Sequence, residues 1–93
     1  MTLKPIDYLS FKDLRRRKVG TVIVKSSVSK MTVQDRPVGY KGEREKVIYV
    51  YMGIYFPSIE VFPMTEEGYE AAKKCFEEYT LNWIKEFVET WTD

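Results

Sequence analysis

The chain has 93 residues, 44% hydrophobic and 15% aromatic, which is too apolar for a disordered segment and long enough for one domain, residues 1–93. Its formal net charge of +1 hides two opposed halves: residues 1–46 hold 12 Lys/Arg against 5 Asp/Glu, and residues 47–93 hold 3 against 9. A basic half points to a polyanion partner, and an acidic half excludes a chain that adheres to polyanions everywhere.

Residues 1–18 read as an extended arm entering a short helix. Ser10 caps it, Asp13 sits in its first turn, and Phe11 and Leu14 share its inner face. The run Arg15, Arg16, Arg17, Lys18 falls at its C-terminal end, where positive charge complements the helix dipole, and Gly20 ends the turn. Residues 19–34 are rich in β-branched residues and predict strand. The apolar phase shifts across Ser29-Lys30, as either a bulge or a tight hairpin. Residues 35–44, with one Pro and two Gly, predict a long basic loop. Residues 46–62 are a second strand region, broken at Pro57-Ser58. Residues 65–92 predict a long helix: Thr65 is its N-cap, Glu66 and Glu67 fill the first turn, and Tyr69, Ala72, Phe76, Tyr79, Trp83, Phe87 and Trp91 form one apolar stripe. The expected fold is α+β: a three- to four-stranded antiparallel sheet with a short N-terminal helix and the long C-terminal helix packed on one face.

Alternation in the central strand separates two faces. Ile48, Val50, Met52, Ile54 and Phe56 are expected to face the long helix. Val47, Tyr49, Tyr51, Gly53 and Tyr55 face away from it, with Gly53 leaving room between rings. A row of tyrosines beside cations is a means of holding single-stranded nucleic acid, each base stacking on a ring and each phosphate pairing with a cation. The candidate cations are Arg15, Arg16, Arg17, Lys18, Lys25, Arg44 and Lys46, and Tyr40 in the basic loop adds a ring. The competing expectation is that Leu3, Ile6, Leu9 and Leu14 of the N-terminal arm close this face as a lid.

A helix of about 1.5 Å per residue outruns a four-stranded sheet. Its far end carries Leu81, Trp83, Ile84, Phe87, Val88 and Trp91, which predicts a homodimer interface there. The chain has no histidine and no Gly-rich phosphate loop, and its one cysteine, Cys75, reads as a small core residue. A protein without catalytic residues, metal or cofactor is therefore expected. No apolar run approaches the roughly 20 residues of a membrane span, the N-terminus lacks a signal-peptide core, and a lone cysteine suits a cytoplasmic location. One Gln and one Asn against ten Lys and ten Glu is a composition associated with hyperthermophiles.

The passage from Ser58 through Pro63, Thr65-Glu66-Glu67 and on to Lys74 resembles the last strand and helix start of the positive-cofactor-four type of single-stranded-DNA-binding domain. That resemblance implies a strand running through an acidic cap into a long dimerising helix. The chain departs from the pattern in lacking the Lys-Gly pair that opens the final strand, and in its N-terminal helix and basic loop. In architecture and composition it is also similar to the ThermoDBP-type single-stranded-DNA-binding proteins of thermophilic archaea, which implies a binding surface of basic and aromatic residues on a sheet. The expected function is non-enzymatic binding of single-stranded nucleic acid, DNA in preference, with weak sequence preference. The alternative is a protein-interaction or assembly module, of the kind an archaeal virus carries, using the tyrosine face and the C-terminal helix as subunit interfaces.

Overall fold

The computed structural model describes residues 8–53 and 55–91, with side chains described as far as Leu81. The elements follow in the order α1 (Phe11–Leu14), β1 (Val22–Lys25), β2 (Ser29–Val38), β3 (Glu43–Met52), β4 (Ser58–Pro63) and α2 (Glu66–Trp91). The four strands form an antiparallel meander in the order β1-β2-β3-β4. The long helix packs against one face of it, giving the expected α+β fold.

Both helix starts are fixed by local side chains. Ser10 Oγ accepts the Asp13 N–H at 3.2 Å, and Thr65 Oγ1 accepts the Gly68 N–H at 2.9 Å. The other end of α1 is satisfied from the sheet. Lys46 Nζ donates to the carbonyls of Arg17, at 2.7 Å, and Arg15, at 3.3 Å, and so occupies the helix end where cations are favoured.

The expected loop over residues 35–44 is instead a continuation of β2 and β3. Ten residues of each strand pair in unbroken register, from Ser29 opposite Met52 to Val38 opposite Glu43. Only Gly39, Tyr40, Lys41 and Gly42 turn the chain, and both glycines take positive φ (73° and 77°). Pro37 sits within β2 because of how the strand hydrogen bonds alternate. The Val33 N–H and C=O pair with Thr21 and Gly20, on the β1 side, and by alternation Pro37 points to that side too. The pairing with residues 20–25 ends at Val33, so among the described residues no strand faces the proline's missing donor. The phase shift near Ser29 is a hairpin. Ser26 Oγ accepts the N–H groups of Val28 and Ser29 at 3.2 and 3.0 Å, while the register irregularity lies in β1, between Val22 and Val24.

β3 stops at Met52. Gly53 has φ 114° and donates its N–H to the Val28 carbonyl at 2.9 Å, which ends the alternation. Phe56, expected in the core, is therefore 96% exposed in the β3–β4 connection, and Ile54 lies outside the described residues.

The core is the layer between sheet and helices. Met31 and Val33 of β2, and Ile48 and Val50 of β3, meet Tyr69, Ala72 and Phe76 of α2 and Leu14 of α1. Full burial of each large apolar side chain is worth about 1.5–3 kcal/mol. Ser29 and Thr80 close the far end of this layer with a buried hydroxyl–hydroxyl hydrogen bond of 2.7 Å. Cys75 packs beside Met52, sulfur to sulfur 3.8 Å, and burial, with Glu60 and Glu78 nearby, pushes its thiol pKa up, as suits a core residue. Among the described residues no helix is long and apolar enough to cross a membrane.

The arm does not form the expected lid from Tyr8 onward. Leu14 enters the helix-side core, and the Leu9 carbonyl accepts the Tyr69 hydroxyl at 2.8 Å. Tyr8 meets Tyr69 edge to face at 6.3 Å, and Lys73 Nζ lies 4.3 Å above the Tyr69 ring. Burial raises both phenol pKa values, with Glu77 adding at Tyr8 and Glu70 at Tyr69. Leu3 and Ile6 lie outside the described residues.

Candidate nucleic-acid interface

The strand registers place side chains of the second sheet face in rows. One row crosses the sheet through Lys25, Lys30, Tyr51 and Ile59, and the next through Val22, Thr32, Tyr49 and Val61. Gln34, Val47 and Pro63 form the third, and Arg36 and Glu45 the fourth. Both described helices pack on the opposite face, so these rows form the outer surface of the sheet among the described residues.

The tyrosine pair is the centre of this face. The Tyr49 and Tyr51 ring centroids lie 5.9 Å apart, tilted by 56°, and both side chains are half-buried. Lys30 Nζ sits 4.7 Å above the Tyr51 ring centroid, a cation–π contact. Thr32 and Val47, on this same face, are buried, while Val22, Ile59 and Val61 form an exposed apolar rim, 51%, 47% and 42% exposed. The carboxylates on this face, Glu43 and Glu45, lie at the end of β3 nearest the Gly39–Gly42 turn, and Glu45 accepts the Arg36 Nε–H at 2.7 Å. The half around the tyrosines therefore carries Lys25 and Lys30 with no carboxylate in its rows.

The predicted residues divide. Tyr49, Tyr51 and Lys25 come together as expected. Tyr55 does not join them: it lies beyond Gly53, 87% exposed in the β3–β4 connection. Tyr40 is fully exposed at the tip of the β2–β3 turn, at the far end of the sheet. Arg44 and Lys46 sit on the helix-side face, because they alternate with the tyrosine positions. Arg44 is engaged with Asp35 at 2.7 and 3.1 Å, and that hydrogen-bonded guanidinium holds the Asp35 carboxyl below its usual range. Lys46 is the cap of α1 described above. Arg15, Arg16, Arg17 and Lys18 are exposed between α1 and β1. A turn from Thr21 N–H to the Lys18 carbonyl leads into Gly20, which bonds Val33. Gly20 is thus three β2 residues, or about 10 Å, from the level of Lys30.

Lys30 itself is the residue that sequence reasoning missed. Its signal is the glycine pair at 39 and 42: counting back from a hairpin turn there places Lys30 opposite Tyr51. At the proposed dimer surface, Leu81 is 45% exposed, and the side chains of Trp83, Ile84, Phe87, Val88 and Trp91 lie outside the described residues. The exposed side of α2 carries Glu66, Glu67, Glu70 and Glu78, with Lys73 and Lys74 taken up by Glu70 and Glu78 at 2.8 and 4.0 Å.

No family model, curated protein or solved structure matches the chain, so the resemblance over residues 58–74 rests on those residues alone.

Proposed function

We propose that this protein binds single-stranded nucleic acid, DNA in preference, along the outer sheet face and without catalysing a reaction. The observation that carries the reading is the adjacent Tyr49–Tyr51 pair in a half-face bearing two lysines and, among the described residues, no carboxylate. Each ring offers a stacking platform worth about 1–3 kcal/mol per base, and that platform is open only to unstacked bases. Lys25, Lys30 and the run at residues 15–18 supply phosphate contacts, and none of these contacts reads a base edge, so sequence preference is weak. The acidic outer side of α2 repels the strand and confines it to one layer. The protein acts as a homodimer through the C-terminal part of α2, where Leu81 begins an apolar stretch of sequence.

Fluorescence anisotropy with a labelled oligothymidylate and a labelled duplex tests this. The single strand binds more tightly. With about four phosphates engaged, log Kd against log salt has a slope near 3, a loss of roughly 50-fold between about 50 and 200 mM salt. Equal or weaker binding of the single strand, or no binding at the lower salt, overturns the reading. A second reading, an assembly module, is favoured by the apolar rim of Val22, Ile59 and Val61. A salt-sensitive oligomer larger than a dimer, formed without nucleic acid, supports that one instead.

A further inference from the structure

A cavity of about 340 Å³ opens where the tyrosine row meets the β1–β2 turn, lined by Lys25, the turn residues 26–29, Lys30, Tyr51, Gly53 and Pro57. Its volume is at the low end of small-ligand sites, room for one nucleotide unit rather than a length of strand. Lys25 and Lys30 face each other directly across the β1–β2 ladder. Like charges in that position destabilise a sheet, and neither lysine has a carboxylate partner among the described residues. An anion seated between the two ammonium groups turns this repulsion into attraction.

We infer that the cavity takes the terminal phosphomonoester of a nucleotide, with its base against Tyr51; the placement of the base rests on the nucleic-acid reading above. Three observations favour a terminal phosphate over an internal one. A monoester carries a charge of about −1.5 to −2, matching two lysines, whereas an internal diester carries a single charge. It also has a third oxygen to be satisfied. Ser26 and Ser29 spend their hydroxyls on each other, the turn and Thr80, but the exposed Ser27 has no hydrogen-bond partner among the described residues and is free to donate. Finally, a strand following Tyr49 to Tyr51 meets the β3–β4 connection, where Gly53 and Pro57 line the cavity. The strand ends there. Lys30, held over the Tyr51 ring in the free protein, moves to the phosphate and uncovers the ring for the base.

The test compares three oligothymidylates of one length, carrying a 5′-phosphate, a 3′-phosphate or hydroxyls at both ends, and adds free thymidine monophosphate as a separate ligand. Wild type and the double variant Lys25→Gln/Lys30→Gln are titrated with each. One phosphorylated oligonucleotide is expected to bind about tenfold more tightly than the hydroxyl-ended one. The double variant loses that preference, binding all three oligonucleotides equally, and binds the hydroxyl-ended strand more weakly than wild type because two phosphate contacts are gone. Equal binding of all three by wild type overturns the end-recognition inference and leaves the nucleic-acid reading standing. Lysine-dependent binding of thymidine monophosphate with no oligonucleotide binding upholds the phosphate site and overturns the nucleic-acid reading. No binding of any probe overturns both.

Discussion

Replacing Gly68 by alanine is expected to lower the thermal midpoint by roughly 10 °C, although alanine is the better helix former. Gly68 lies buried in the first turn of α2, one turn after the chain leaves β4. Only Met64 and Thr65 separate strand from helix, and the Thr65 N–H already bonds the Pro63 carbonyl at 2.9 Å. A Cβ on Gly68 would run into that same carbonyl oxygen and the proline ring. The helix gains about 1 kcal/mol from the substitution. The collision is with backbone fixed on both sides, by the β3–β4 pairing and the Thr65 cap, so its cost belongs at the upper end of overpacking, about 3 kcal/mol or more. The collision wins by about 2 kcal/mol, a large share of the 5–15 kcal/mol typical of a domain. Thermal unfolding followed by circular dichroism measures it. An unchanged or raised midpoint would show that the helix start is not seated on Pro63 in this way.

The double substitution Tyr49→Ala/Tyr51→Ala should weaken single-strand binding at least about 30-fold, from two lost stacking platforms of about 1–3 kcal/mol each. Its structural cost is smaller. Cross-strand pairs on an open sheet face contribute roughly 0.2–1 kcal/mol, and neither ring belongs to the buried core beneath α2. The Tyr49→Phe/Tyr51→Phe variant keeps both rings and should retain affinity within a few-fold. Anisotropy titration of the three proteins, with circular dichroism as a check on folding, separates the effects. Loss of folding in the alanine variant would mean that the tyrosines serve the structure. Unchanged affinity in a folded alanine variant would remove stacking from the mechanism.

The parts of this fold legible in the sequence are those set by near neighbours. Ser10 and Thr65 cap helices through contacts three residues away, so the starts of both helices could be read directly. The alternation from Val47 to Met52 likewise placed Ile48 and Val50 inside and Tyr49 and Tyr51 outside. What was hidden depends on the partner strand. Residues 35–38 look like a loop because of Pro37, and only the absence of β1 alongside them makes a proline acceptable there. Without that hairpin no β2–β3 register follows from the sequence, and the meeting of Lys30 and Tyr51 stays hidden. Lys46 and Arg44 look like free cations in a basic half, yet one caps α1 and the other pairs with Asp35 across the hairpin. Tyr55 fails for a different reason: a positive φ at Gly53 resets the side-chain phase, and a period-two pattern cannot register it.

The proposed nucleic acid lies on the outer sheet face, over Tyr49, Tyr51 and Lys30. The most direct test is a two-dimensional amide NMR titration of the labelled protein with a short oligothymidylate. The largest shifts are expected at Lys25, residues 27–32 and residues 49–53, with the outer side of α2, around Glu70 and Glu78, nearly unmoved. Shifts concentrated on α2, or none at all at saturating oligonucleotide, would contradict it.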